Sequence, residues 1–327
     1  MIELLAATGD GIARIRPYDG GWQAEIALAG SGASSLAVDP TDPSIVYTGC
    51  HGAGVWKSDD GGSRWENLHV PNQEVYSVAV SAADRAVYAG CEPSMLFRSE
   101  RGGRGWEELA GLRAIPSAPS WSFPPRPWTS HVRWIAPNPS DAALLLVGIE
   151  LGGVMRTDDG GETWDDHCPG AQRDAHAIAW HPQATDRAYE AAGGGAAWSF
   201  NRGSNWLAAD AGRDRHYVWA LAVDPEDPDR WYVSASPGPM YAHGSRSAEA
   251  YLYRWEGEGP FEVLGGGLPQ PLDSMPYALA ASTESVFAGL RDGRLFRSDD
   301  HGETWSPLKV GGEQVPSVLA LSIAETG

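Results

Sequence analysis

The chain lacks most of the features that mark the commonest functional classes. Only 24 of its 327 residues are Lys or Arg, against 43 Asp or Glu, for a formal net charge of −19. A surface of that sign repels nucleic acid and anionic lipid, which need clustered cations, so neither is an expected partner. No apolar run approaches the ~18 residues of a membrane-spanning helix, and no long segment has a helical period. The three cysteines, Cys50, Cys91 and Cys168, cannot all pair within one chain. The opening Met1-Ile2-Glu3-Leu4-Leu5 lacks the basic start of an export signal. Few, odd-numbered thiols and no such signal predict a cytoplasmic protein with buried cysteines. There is no nucleophile elbow and no phosphate-binding loop; Gly193-Gly194-Gly195 reads as a simple turn.

What is present is short β-rich segments, such as Ser44-Ile45-Val46-Tyr47-Thr48 and Arg230-Trp231-Tyr232-Val233, among 40 Gly and 24 Pro. That composition implies many strands joined by turns. The segments repeat. Leu36-Ala37-Val38-Asp39-Pro40 has six relatives, each with alanine at the same place: Ala79, Ala136, Ala179, Ala222, Ala280 and Ala320. A second strand, a Gly-rich turn, a third strand, a tight turn and a fourth strand follow each alanine strand. Four short strands in about 40–45 residues is the period of a β-propeller blade. The alanine is explained if the first strand lies innermost, where converging blades leave room only for a small side chain.

The seventh alanine strand, Ser317–Ser322, has almost no chain after it. The N-terminal Leu4–Ala7, Ile12–Arg16 and Trp22–Leu28 read as second, third and fourth strands without a first. Pairing them closes the ring and removes two exposed sheet edges. The expectation is an all-β, seven-bladed propeller of four-stranded antiparallel blades in one domain, 1–327. Its seventh blade is split into 1–30 and 313–327, with insertions at about 113–130 and 236–250.

The octapeptide S-D-D-G-G-S-R-W (58–65) returns as T-D-D-G-G-E-T-W (157–164) and S-D-D-H-G-E-T-W (298–305). Ser99–Trp106 and Ser199–Trp206 are degenerate copies with Arg101 and Asn201 at the acid. The phrase resembles the Asp-box (BNR) repeat, S-x-D-x-G-x-T-W. The superfamily includes sialidases, xyloglucan-active glycosidases, photosystem II assembly factors and sortilin-type receptors. The resemblance implies a propeller fold rather than one activity. Asp60, Asp159 and Asp300 are expected to be structural: carboxylates accepting amide hydrogen bonds in tight turns, beside a glycine with positive φ and a Trp packed between blades.

Departures from the repeat mark a functional face. From the closing Trp to the next aligned position takes 11 residues at Trp65 to Tyr76 but 27 at Trp106 to Arg133. The extra segment carries Trp121 and Trp128. A second insertion, around Ser236–His243, separates the second and third strands of blade five. Both fall on the face opposite the Asp-box turns, and long loops over one mouth of a rigid scaffold are where sites are built.

Two rings of varied residues converge there. Two places before the aligned Leu36 come Ser34, Tyr76, Arg133, His176, Trp219, Tyr277 and Ser317. The second-to-third turns supply His51, Glu92, Glu150 and Arg291, with Asp292 beside it. Glu92 and Glu150, on adjacent blades, are candidates for general acid and base on a glycosidic bond, with Arg133 or Arg291 holding an anionic group. His176 or His216 is a candidate general base. Trp121 and Trp128 are candidates to stack on a sugar, or else form a Pro-stiffened plug or dimer contact. His131 and His243 complete the candidate ligand-binding set. His51, His131, His176 and His216 with Glu150 have the chemistry for a divalent metal, but no short-spaced motif supports one, so no cofactor is expected.

The resemblance narrows the function less than the fold. Sialidases have six blades and an F/Y-R-I-P element that Arg14-Ile15-Arg16-Pro17 matches only in part. Xyloglucan-active enzymes, which share phrases such as Ala37-Val38-Asp39-Pro40, clamp a polymer between two propellers. Photosystem assembly factors carry an arginine patch that is absent here. The expectation is a small-molecule or carbohydrate site at the mouth, in a glycoside hydrolase-like or lyase enzyme. The alternative is a non-catalytic scaffold for a protein or glycan.

Overall fold

Seven sheets stand around a central channel in the computed structural model, which describes residues 2–123, 129–257 and 259–325. Blade one is Ala33–Asp39, Asp42–Cys50, Gly54–Ser58 and Glu66–Asn67, each antiparallel to the next. Blades two, four, five and six repeat it, with innermost strands Val75–Val80, Ala175–Trp180, Tyr217–Val223 and Pro276–Ala281. Blade three has Val132–Pro137, Leu145–Ile149 and Gly153–Thr157; its fourth strand is reduced to one bridge, Arg156–Asp165. In blade seven the C-terminal Ala320–Glu325 pairs with Ile2–Ala7, which leads to Ile12–Tyr18 and Gly21–Ala27. The closing strand thus begins at Ala320 rather than Ser317, and Val310–Gly312 adds a fifth strand at the opposite edge, parallel to Gly21–Ala27. No helix among the described residues is long and apolar enough to cross a membrane.

The core is divided among the seams. Each of seven apolar clusters straddles two adjacent blades: Tyr232, Leu252 and Leu264 with Leu279 and Phe296, for example, between blades five and six. Of the seven repeated alanines, Ala79, Ala136 and Ala222 are buried and the others half-buried at the channel wall. Cys50, Cys91 and Cys168 are free and buried. Burial pushes the Cys91 and Cys168 thiols up to about 12.

A second close approach lies in the next strand out. A Cβ on Gly49 would meet Val75 Cγ1 at 2.7 Å, one on Gly90 would meet Val132 Cγ1 at 2.5 Å, and one on Gly289 would meet Val318 Cγ1 at 2.3 Å. Each glycine is a socket for the first apolar residue of the following blade, which is why a side chain is missing there.

The repeated octapeptide closes on itself. The Ser58 hydroxyl donates to Asp60 Oδ1 (2.9 Å) and accepts from the Gly62 amide (2.8 Å). Asp60 Oδ1 accepts the amides of Ser63 and Arg64 at 3.1 and 2.8 Å, and Gly62 sits at φ 84°. Asp159 and Asp300 accept the Thr163 and Thr304 amides at 2.9 and 2.8 Å. The Thr163 hydroxyl and amide hold Asp159 down at about 2. In the degenerate copy, Asn201 Oδ1 takes the Ser199 hydroxyl at 3.0 Å and the Asn205 amide at 3.0 Å, so a neutral acceptor suffices. At Arg101 the acceptor is gone, and Ser99 donates instead to the Arg104 carbonyl (3.2 Å). The turn makes no use of an acid as such, and in the Ser99–Trp106 copy it forms without a side-chain acceptor at the third position.

Candidate functional site

In six blades the innermost strand carries a bulge, and the bulged residue is the variable ring position. Register shifts fall between Ala33 and Ser35, Val75 and Ser77, Val132 and Trp134, Ala175 and Ala177, Val218 and Leu221, and Pro276 and Ala278. The residues left over include Ser34, Tyr76, Arg133, His176, Trp219 and Tyr277. A bulge re-aims a side chain without breaking the sheet, as is common at the rims of functional sites. The residue just before the bulge in blades two and three, Val75 or Val132, is the one seated in the preceding blade's glycine socket.

On one side of the mouth His131 lies between two carboxylates. Its Nε2 is 2.6 Å from Glu150 Oε2, and its Nδ1 is 3.5 Å from Glu92 Oε2. Tyr76 stacks on the imidazole at 3.9 Å and meets His51 edge-on at 4.2 Å. The first insertion closes over this group: Phe123 packs on His131 (5.2 Å) and the Thr129 hydroxyl donates to Glu92 (3.3 Å). Burial alone would raise Glu150, but the His131 hydrogen bond and the Arg133 guanidinium outweigh it and hold the carboxyl below its usual range.

Arg133 stands above this group. Its guanidinium carbon is 4.6 Å from the Trp219 ring centre and its Nε is 3.9 Å from Glu150 Oε2, yet it makes no hydrogen bond among the described residues. Deeper in, His176 is packed by Trp219 (4.5 Å) and Tyr217 (5.0 Å), with Nδ1 2.6 Å from the Val218 carbonyl and Nε2 3.4 Å from Asp174 Oδ2. The second insertion delivers His243 from the short helix Pro239–His243. It bridges the Tyr217 and Tyr277 hydroxyls at 2.8 and 2.7 Å. Burial, with the nearby Arg133 charge, pushes His243 down to about 4, so it is neutral at neutral pH.

Beside this group a cavity of about 270 Å³ runs along the inner strands, lined by Ser34, Tyr76, Ser77, Arg133 and Leu319 among others. A wider depression of about 640 Å³ lies at the edge of blade seven, between Arg16, Tyr18 and Glu313. Open sheet edge and exposed side chains make it a seam of the split blade, remote from the ionisable cluster.

The other sequence candidates fall elsewhere. Trp121 is 7% exposed, packed in the seam of blades two and three, with Nε1 donating to Ser117 Oγ (3.0 Å). Its ring is a plug and presents no face to a sugar. His216 is exposed and joins none of the cluster's contacts; the next residue, Tyr217, points inward instead. Arg291 donates to the Gly244 carbonyl (2.9 Å) and so pins the second insertion, while Asp292 pairs with Arg294 (2.6 Å) on the surface. Trp128 lies outside the described residues. Glu92 and Glu150 do not face each other across open space, because the His131 ring stands between them.

Three partners went unread in the sequence: Asp174, Tyr217 and Glu190. Asp174 precedes His176 by two residues, a weak signal in a connection that does not repeat. Glu190 is fully buried on Ala188–Ala192, and both its oxygens face the Gln172 amide at 3.2 and 3.0 Å. Burial drives its carboxyl up to about 8. Gln172 lies in the connection that carries Asp174, so Glu190 braces that segment from below.

No family model and no curated protein matches the chain. Solved structures do. An ancestral GH74 enzyme superposes with TM-score 0.67 at 18% identity, over 89% of this chain and 39% of that one. The GH74 xyloglucanase from Xanthomonas campestris gives 0.65 at 18%, over 94% and 46%. YCF48 bound to D1 peptide gives 0.57 at 15%, over 94% and 85%. The chain spans less than half the length of either GH74 protein, and at these identities the likeness is one of propeller fold.

Proposed function

We propose that the mouth binds a small organic anion, a sugar acid or hydroxy acid, with Arg133 as the clamp on its carboxylate. The observation that carries this reading is the Arg133 guanidinium: partly exposed, braced on Trp219, without a hydrogen bond among the described residues, beside the 270 Å³ cavity. A guanidinium is the side chain suited to planar, bidentate capture of a carboxylate. Burying Glu150, His131 and His176 together is costly, and nothing in the packing of the blades requires it. The cavity suits a compact ligand better than a polymer.

The chemistry within reach is proton transfer next to the captured carboxylate, as in a lyase, carried by the ionisable groups gathered at the mouth. Hydrolysis by Glu92 and Glu150 would need a sugar linkage where the His131 ring stands. A non-catalytic scaffold is the second reading, supported by Met240, 78% exposed on the inserted helix beside the mouth. The turn geometry supports grouping the chain with Asp-box propellers, and three buried free thiols support a reducing compartment.

Thermal melting against sugar acids, hydroxy acids and matched neutral sugars tests the proposal. At ~100 times its dissociation constant, an acid ligand adds about 2.7 kcal/mol and raises Tm. Arg133→Ala is expected to abolish that shift. Equal shifts from neutral sugars, or a shift that survives Arg133→Ala, would sink the anion reading.

A further inference from the structure

We propose that Glu150, Asp174 and His176 bind one divalent cation of the zinc or manganese kind, an inference that rests on reading the mouth as a ligand site. One ligand atom from each residue lies within 4.8 Å of the others. Proximity of acids alone would mean little in so acidic a chain; the histidine is what decides. Its side chain is fully buried and its Nδ1 is 2.6 Å from the Val218 carbonyl. A carbonyl only accepts, so Nδ1 carries the proton. Nε2 is left buried, aimed at the two carboxylates, with no hydrogen-bond partner among the described residues. A metal-binding imidazole is ordinarily held in this way, its far nitrogen donating to a backbone carbonyl.

The remaining geometry is consistent with a cation. The 3.4 Å between His176 Nε2 and Asp174 Oδ2 matches the spacing of two ligands on a metal about 2.1 Å from each. Glu150 has Oε2 engaged by His131, which orients the carboxylate and leaves Oε1 to turn toward the site. Two carboxylates neutralise a doubly charged ion. Two other imidazoles of the mouth are spent: His243 on two tyrosine hydroxyls, His131 on Glu150. One nitrogen and two oxygens suit zinc or manganese, whereas magnesium prefers oxygen alone and copper(I) prefers sulfur. Three protein ligands leave coordination positions open beneath Arg133. A hydroxy acid then meets two hooks, the guanidinium for its carboxylate and the metal for its hydroxyl.

The test uses the full chain, stripped with chelator and dialysed. Mn²⁺ is titrated with the free-ion EPR signal as readout, and Zn²⁺ by calorimetry. One tight equivalent is expected, weakened at least about 10–100-fold by Asp174→Asn, since even outer-shell losses cost that much. Asp174 is 24% exposed in a connecting segment, so this variant keeps its fold; circular dichroism checks it. His176→Gln is expected to weaken binding as strongly. Absent binding, or several weak equivalents indifferent to Asp174→Asn, overturns the site. Melting with the acid panel in EDTA separates the two readings. A shift lost in Arg133→Ala but retained in EDTA and in Asp174→Asn leaves the anion site standing and counts against the metal. Metal binding that Asp174→Asn abolishes supports the metal even when no acid binds.

Discussion

Glu190→Gln is expected to make the protein more stable at neutral pH, by on the order of 3 kcal/mol at pH 7. Glu190 is fully buried, takes the Gln172 amide on both oxygens with no other hydrogen bond among the described residues, and has its carboxyl pushed up to about 8 by burial. In the unfolded chain the same group titrates near the usual value of about 4.3. A folded-state pKa above the unfolded one contributes stability that is whole below about pH 4 and is lost as pH rises toward 8. At pH 7 the parent therefore holds a neutral acid against an unfolded state that favours the ion. Glutamine has nearly the same shape and keeps one oxygen to accept from the Gln172 amide, but has nothing to ionise, so it removes that penalty. Urea melts at pH 4.5 and pH 7.5 are the measurement. The variant's advantage is expected to be large at the higher pH and nearly absent at the lower. A variant weaker than the parent at both would show that Glu190 is ionised and paired in the folded state.

Gly90→Ala is expected to cost about 3 kcal/mol, the upper end of what overpacking in a tight core costs. The new methyl would lie 2.5 Å from Val132 Cγ1, 2.7 Å from Val132 Cβ and 2.3 Å from Ser77 Oγ. None of these can retreat easily: Val132 is completely buried, and the Ser77 hydroxyl donates to the Val132 carbonyl at 2.7 Å. Because Val132 immediately precedes the bulge that presents Arg133, the strain reaches the mouth, and the variant is expected to lose ligand affinity along with stability. Gly238→Ala is the control, with extended backbone and no atom within 4 Å of the added carbon; its cost is expected to stay within about 0.5 kcal/mol. Denaturation midpoints with unchanged m-values decide between them. Equal stability of Gly90→Ala and the parent would mean that the blades are not seated by this contact.

The same seam shows where reading from sequence stops. The alanines and the octapeptide repeat in one dimension, so blade number and closure follow from them. The ring of Tyr76, Arg133, His176, Trp219 and Tyr277 could be aligned, but not the bulges that turn it inward, because a bulge is a relation between two strands. Gly49, Gly90 and Gly289 are equally visible, yet nothing in one chain says which valine each receives. The grouping of Glu92 and Glu150 around His131 depends on where a 27-residue connection returns, and that segment has no period to fix its path. Trp121 went inward for a related reason: among prolines, a large apolar ring is covered by its own loop and the adjacent seam. Asp174 was hidden by lying in a connection, where no repeat sets an expectation against which to notice it.

The central claim is that ligand chemistry sits at the mouth opposite the octapeptide turns. Amide hydrogen exchange, with and without the first acid that raises Tm, tests it most directly. The account predicts slowed exchange in the peptides around His131–Arg133, Asp174–His176 and Val218–Trp219, and none around Ser58–Trp65, Thr157–Trp164 or Ser298–Trp305. Protection on the turn face, with the inner-strand peptides unchanged, would contradict it.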